Sequence, residues 1–528
     1  MGANTNKIKA YLIGGGIASL AAAAYLIKDG GIAGENITIF EASNKLGGSL
    51  DGGTLKKNVY FARGIRIFEE KIYLCTFDLF SFIPSLNNPQ TTIKEEFFKF
   101  NKENKIYSKS RLIANGKKLS AKPLKLNFRD RISLLKILIY PEFSLKNTRI
   151  NDYFTPAFFE SNFWIEFCTV FAFQPWNSLM EFRRYALRIL HDLPALNTTK
   201  PIRDTSYCQY DSIIVPTVRW LKNKGVQFET ECEVENIKFR KYGDKKAAVR
   251  IYCQYKKRKE EIQINKEDLV FTTLGSMTEN SEIGSIDKPP RFIENKKNPS
   301  WNLWKNISKN NPEFGNPYNF CNDINKSKWV SFTITTRDTL IKSIKKLTKQ
   351  ETGTEGPITM KNSNWLLTIG IPRQPYFSDQ PNNLSVCWGY GLFPDRKGDF
   401  VNKNMSDCNG KEILQEICGH FGFSKVKTEK IITTSECVPC LMPYITSQFS
   451  PRKKGDRPEV VPEKALNFAF LGQYVEIPNE IVFTVEYSIR SAQIAVYRLL
   501  NLDKKPAPIY KGQYNLKVVW NAIKTAFR

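Results

Sequence analysis

Gly14, Gly15 and Gly16, followed by Ala18 and Ser19, join an apolar stretch to an alanine-rich one in the run IKAYLIGGGIASLAAAAYL. Glycine at 14 and 16 lets the backbone turn tightly and approach a pyrophosphate, which the free N–H groups opening the following helix stabilise. Ser19 stands where a third glycine is usual in such turns. A second β-rich run, ITIFEAS, ends in Glu41, placed to accept a ribose hydroxyl. Gly48 and Ser49, with Gly47, form another anion-facing turn in NKLGGSLDGG, a feature of FAD enzymes more than of NAD dehydrogenases. Strand, glycine turn, helix and acidic residue in this order predict dinucleotide binding. Other chemistry is sparse: Cys437 and Cys440 form one CVPC pair with no second pair to complete a zinc site, and His191 and His420 are the only imidazoles. No metal site is expected.

The elements that must position these residues recur along the chain. With 528 residues, 41% of them hydrophobic, the chain is long enough for a large core and about two to four subdomains. A helix feeding a strand at Val226–Thr230, and a strand ending in the small-residue turn Gly275–Ser276, both lead back to the cofactor domain. A last strand ends at Gly472, and a helix from Thr484 to Leu500 points its N-terminus, with Phe483 and Thr484, toward the cofactor. The expected fold is α/β: a Rossmann-type FAD-binding domain built from discontinuous segments, an inserted α+β substrate domain and a C-terminal helix. The cofactor domain takes residues 7–115, 201–295 and 431–505; residues 116–200 form a helical substrate-binding region, 296–430 the α+β domain and 506–528 the amphipathic terminal helix.

The net charge of +26 is spread through loops and not gathered on one recognition helix, so no nucleic-acid module is expected. Near the end, Leu516, Val519, Trp520, Ile523 and Phe527 share one helical face, with Lys517, Lys524 and Arg528 off it. Such a helix either lies on a membrane surface or docks on its own protein. No window carries the roughly 20 apolar residues of a membrane span, and the N-terminus lacks an apolar signal core. Asn6 stands where myristoylation wants Ser or Thr. A cytoplasmic protein, peripheral at membranes at most, is expected. Eleven scattered cysteines, such as Cys168 and Cys387 inside apolar runs, read as small core residues in a reducing compartment.

Longer runs carry a resemblance. GGGIASLAAAAYLIKDG, FAFQPWNSLMEFRRY, YCQYDSIIVPTVRWL, CLMPYITSQFSPRKKGDRP and GQYVEIPNEIVFTVEYSIRSAQIAVY, in this order over nearly the whole chain, resemble the oleate hydratase family, formerly called myosin-cross-reactive antigens. The resemblance implies an FAD-dependent hydro-lyase, often dimeric, that adds water across the cis double bond of a long-chain unsaturated fatty acid. Tyr185 matches the family's proton-donating tyrosine, and Arg183 and Arg184 would steady its phenolate if close in space. Gln209 matches an active-site glutamine. Arg63 and Gly64, with Ser276 and Gly472, fall to the cofactor, and Arg373, Gln374 and Tyr376 to the substrate.

Two departures stand out. Where the family reads RGGREM, with Glu as water-activating base, this chain reads RGIRIF and puts Ile67 in the Glu position; Glu69 and Glu70 follow downstream. Where the family holds the substrate carboxylate with a TxNRQPH pattern, this chain has Gly370, Pro372 and Tyr376 around Arg373, Gln374 and Pro375. A flavin-dependent double-bond isomerase and a non-catalytic lipid-binding protein stay open as alternatives.

Overall fold

The computed structural model describes residues 7–527 except 257, 294, 295, 338 and 355. Its centre is a five-stranded parallel sheet in the order Phe468–Leu471, Leu269–Thr273, Ala10–Ile13, Ile37–Glu41, Gln227–Thr230. Purely parallel strands need helical cover on both faces, which is why these segments read as short continuous apolar runs. The helix Ile17–Lys28 is buried from Ile17 to Leu26, and its alanines at 21–24 let it lie close between the sheet and the helix Val485–Leu499. The expected α/β class with a discontinuous Rossmann-type domain is what the chain adopts. The loops after the strand ends at Ile13, Glu41, Thr273 and Leu471 all open on one crevice, as strand direction dictates.

A second sheet of eight strands runs Glu282–Ile283, Ser435–Met442, Trp329–Thr336, Ser385–Gly391, Leu367–Gly370, Ile358–Met360, Leu112–Ala114, Lys117–Leu119. It corrects the expected boundaries. Ser435–Met442 lies beside Trp329–Thr336, so the last cofactor segment starts after residue 442, not at 431, and Leu112–Ala114 joins the substrate sheet from inside the expected first cofactor segment. Cys437 and Cys440 sit three apart in that strand and so on opposite faces, and all eleven cysteines are free and buried.

Every residue of Trp329–Thr336 is buried. Phe332 and Ile334 join the helices Thr339–Thr348 and Gly410–His420 in one core. From the strand's other face, Thr333 and Thr335 hydroxyls accept the backbone N–H groups of Ala62 and Tyr60, at 3.0 and 3.2 Å. These bonds seat the hairpin Gly52–Lys56/Val59–Ala62, and thereby the loop at 63–68 that leaves it.

The helix Leu179–Arg188 presents Glu181, Arg184 and Arg188 on one face, the spacing that aligns side chains along a helix. Each meets an ion partner, fully buried for Glu181 and Arg188 and partly buried for Arg184. Glu181 lies 3.1 Å from Arg452 and 3.3 Å from Arg457; Arg184 lies 2.8 Å from Glu476 and 2.5 Å from Glu142; Arg188 lies 2.9 Å from Glu480. Glu480 also takes Arg490 at 2.8 Å. Removing one member leaves buried charge unpaired, which costs about 3–5 kcal/mol. Glu480→Ala leaves Arg188 without a carboxylate, while Arg490 keeps Glu486 at 2.8 Å, and is expected to lower the unfolding free energy by that scale, whereas Glu70→Gln, at the half-exposed pair with Arg203, shifts stability by no more than about 1 kcal/mol.

Candidate functional site

The crevice at the strand ends is a cavity of about 550 Å³. Gly14, Gly15, Gly16, Ala18, Glu41, Gly48, Ser49, Arg63, Ser276 and Gly472 all line it. Gly14 has φ +97°, and a Cβ there would stand 3.2 Å from Thr273. The helix that starts at Ile17 has no side chain capping its N-terminus, and nothing lies within 4 Å of where a Gly16 side chain would go, so the free N–H groups face open space. The Glu41 carboxylate accepts the Gly15 N–H at 2.7 Å and the Ser43 N–H at 2.8 Å, tying the turn to the neighbouring strand end. Arg63 pairs with Asp51 at 3.2 Å while its Nε and Nη1 are buried without a hydrogen-bond partner. A polar cleft with an uncapped helix start and unspent guanidinium donors fits an anionic dinucleotide.

Four expected cofactor residues fall elsewhere. Ser19 is fully buried beneath the turn, its hydroxyl 3.1 Å from that of Thr273. Gly64 lines neither the cleft nor the two apolar chambers beside the loop at 65–67; a Cβ there would meet the Arg66 guanidinium, and glycine makes room for that side chain. Phe483 and Thr484 line apolar chambers and not the cleft. Thr484 spends its hydroxyl on its own helix, accepting the Tyr487 N–H at 3.1 Å, so that helix start is already capped.

Two chambers, each of about 110 Å³, flank the loop at 65–67 and share Ile65, Arg66, Ile67, Val170, Ile202 and Phe483 in their walls. The two adjoining chambers are together the apolar passage, and Ile67 lies in the wall they share, its seam. The first chamber is completed by Phe171, Tyr185, Leu196 and Ile481 among others, the second by Gly370, Pro372, Trp388 and Tyr390. Arg66 is the sole cation on either wall among the described residues; burial lowers its pKa, and its Nη2 donates to the Ser49 carbonyl at 3.1 Å. Sequence reasoning did not single it out as a site residue, although it stands in RGIRIF as an arginine kept within an otherwise apolar segment.

Tyr185 is 2% exposed, its ring held by Phe171 and Phe173 at 5.1 Å. Its hydroxyl donates to the Val482 carbonyl at 2.5 Å. Burial, with Tyr73, Glu181 and Glu480 adding to it, raises the phenol's pKa well above 10, so it keeps its proton at neutral pH. The expected help from its neighbours is corrected: Arg183 donates to the Ile137 carbonyl and Arg184 to Glu142 and Glu476, because successive helix residues point apart.

Gln209 precedes a π-turn at Tyr210–Ile214 and reaches the Arg66 carbonyl at 3.4 Å, lining neither chamber. It buttresses the loop from behind. Tyr376 is buried beside Gln209 and Arg66. Gln374 spends its amide on the Pro372 and Val386 backbone, and Arg373 is exposed, outside both chambers. The structure therefore brings Gly370 and Pro372 to the passage, but not Arg373, Gln374 or Tyr376. Glu69 lines the first chamber; Glu70 is exposed and bound to Arg203 at 2.5 Å.

Fold and site thus define a Rossmann-type α/β protein with a glycine-lined polar cleft at its strand ends and an apolar passage along the loop at 65–67. Residues 7–497 match the MCRA family, and the chain belongs to it. It is 36% identical over 527 residues to an oleate hydratase from Streptococcus pyogenes serotype M49, covering 97% of this chain and 88% of that one. It is 33% identical over 548 residues to a linoleate hydratase from Lactiplantibacillus plantarum, covering 95% and 96%. Among solved structures, a cyclohexylamine oxidase from Brevibacterium oxydans aligns with TM-score 0.54 at 11% identity, over 94% of this chain and 99% of that one. An oxidoreductase from Methanosarcina mazei aligns with TM-score 0.52 at 12% identity, over 93% and 100%. These two show the fold.

The chambers also hold two carboxyls, Asp192 and Asp204, whose pKa burial pushes up to about 7. A folded-state pKa above the unfolded value gives stability that is present at low pH and is lost as pH rises from about 4 to about 7. Asp192→Asn and Asp204→Asn are each expected to gain stability relative to the parent at pH 8 and less or nothing at pH 5, as chemical denaturation at the two pH values would report.

Proposed function

We propose that this chain is an FAD-dependent hydratase that adds water across the cis double bond of a long-chain unsaturated fatty acid, oleate to 10-hydroxystearate being the reference case. The observation that carries the reading is Tyr185, a phenol that keeps its proton on the wall of an apolar passage, in a protein that also holds a glycine-lined cleft at its strand ends. The names of the hydratase relatives point the same way. An alkyl chain gains from leaving water along the apolar walls, at about 25 cal/mol per Å² of surface removed.

FAD would be held by the Gly14–Gly16 turn, Glu41, Gly48, Ser49 and Arg63; when bound it supplies charge stabilisation beside the alkene with no net electron transfer. The chain's own residues do the rest. Val482 and the aromatic box fix the rotamer of Tyr185, whose hydroxyl gives its proton to one alkene carbon. Water adds to the other carbon and loses a proton. Apolar walls limit water to the few molecules that polar atoms hold, which protects the cationic carbon from side reactions. Arg66, without a carboxylate partner on either chamber wall, is the anchor for an anionic head group or cofactor edge.

We further propose that the terminal helix Leu516–Ala526 rests on anionic membrane. It docks on the protein through Ala522 and Ala526 and leaves Leu516 86% and Trp520 67% exposed next to Lys517 and Lys524. Arg528 of the same pattern lies outside the described residues, as do Met1–Asn6.

Two outcomes test these readings. Tyr185→Phe in FAD-loaded protein is expected to cut hydroxy-acid formation from oleate by about 10²–10⁴ while flavin content is unchanged. Leu516→Ser/Trp520→Ser is expected to weaken co-sedimentation with phosphatidylglycerol vesicles and to leave turnover of detergent-dispersed oleate at the parent rate.

A further inference from the structure

The isoleucine at 67 removes the usual proton acceptor from the passage, yet the first chamber is not without one. Glu69, two residues on, lines the same chamber as Tyr185. Its Oε2 is pinned by the backbone N–H groups of Lys71 and Ile72, at 2.9 and 3.0 Å. Its Oε1 is left to face His191, whose Nε2 lies 3.4 Å away, and the same Nε2 lies 3.3 Å from Asp192 Oδ1. Asp192 also lines the chamber. The His191 side chain is 4% exposed, and neither ring nitrogen makes a hydrogen bond of proper geometry. A buried imidazole with two unspent nitrogens, wedged between two carboxylates on a chamber wall, has no structural bond to explain it. Glu70 does not compete, being exposed and bound to Arg203.

We propose that Glu69 is the group that takes the proton from the attacking water, with His191 and Asp192 as positioning residues that share that proton. This rests on the hydratase reading. The step balances without an oxidant or reductant. The Tyr185 O–H bond breaks as a C–H bond forms at one alkene carbon, the water oxygen bonds to the other carbon, and the water's surplus proton passes to Glu69 Oε1. Solvent returns a proton to the phenolate, and Glu69 releases one. Burial that pushes the Asp192 carboxyl up to about 7 favours a proton held within the cluster near neutral pH. Lys71 and Arg203 act on the cluster from the loop side, and the ring of Tyr510 closes it at 4.7 Å from that of His191. The arrangement relocates the base along the loop while the proton donor stays on its helix.

The experiment uses the full chain loaded with FAD and oleate as substrate, with product quantified over pH 5–9. Glu69→Gln is expected to lower kcat by about 10²–10⁴ with little change in KM. Glu70→Gln is expected to turn over at the parent rate. Placing a carboxylate at the seam, in the double variant Ile67→Glu/Glu69→Gln, is expected to restore at least tenfold of the lost rate. His191→Gln, which keeps a polar side chain should Glu69→Gln lose its fold or flavin, is expected to displace the pH profile. A parent-like kcat and pH profile in both Glu69→Gln and His191→Gln overturns the proposal. So does activity lost on chelation and regained with zinc, which would make the cluster a metal centre. Absence of hydroxy acid from the parent protein itself overturns the hydratase reading, and this inference falls with it.

Discussion

The buried ion lattice between the helix Leu179–Arg188 and the segment running from Arg452 to Arg490 fixes the helix that carries Tyr185. Its members lie in three successive turns of one helix, and their partners come from chain almost 300 residues away, so the lattice sets the position of the helix in translation and in rotation. Tyr185 sits on that helix, and the carbonyl its hydroxyl meets, that of Val482, sits two residues from Glu480. The same ions that dock the helix therefore aim the phenol. Buried ion pairs are weak evidence for stability, since apolar replacements of equal shape often do as well. Their value here is registration: one arrangement satisfies all the charges, and sliding the helix by a turn would leave several unpaired.

The loop at 63–68 is the other fixed point. It leaves a hairpin held by two threonine hydroxyls of the strand Trp329–Thr336, and it carries Arg63 to the cleft, Arg66 to both chambers and Ile67 to their seam. Three tasks fall on six residues, and Gly64 leaves room for the Arg66 guanidinium, which a side chain there would have to displace. Charge is arranged to match. Cationic and backbone donors gather in the cleft, one arginine lines both chambers, and each chamber also carries a carboxyl that burial keeps partly protonated.

Much of the cleft was legible in the sequence because its chemistry is local: a glycine turn between a strand and a helix declares its own geometry, and Gly14, Glu41 and Gly48 fall where their spacing places them. Position-by-position transfer failed where the third dimension decides. Ser19 lies beneath the turn it belongs to, Thr484 caps its own helix, and Gln374 braces a backbone, none of which spacing reveals. Arg183 and Arg184 adjoin Tyr185 in sequence yet point to other partners, since one residue step turns a helical side chain by about 100°. The eight-stranded sheet departs from the expected boundaries because its strands come from both sides of the cofactor segments, and pairing partners leave no trace in a single strand. His191 looked unremarkable for the same reason: the carboxylates around it come from adjacent and from distant chain.

The central claim is that a phenol proton and a water oxygen end up on neighbouring carbons of the lipid. Incubating FAD-loaded protein with oleate in deuterated, oxygen-18 water and reading the product by mass spectrometry tests it directly. The expected product is a hydroxy acid with one deuterium on carbon and one heavy oxygen on the adjacent carbon. A product with a displaced double bond and no new oxygen, or unchanged oleate recovered from folded, flavin-loaded protein, would contradict it.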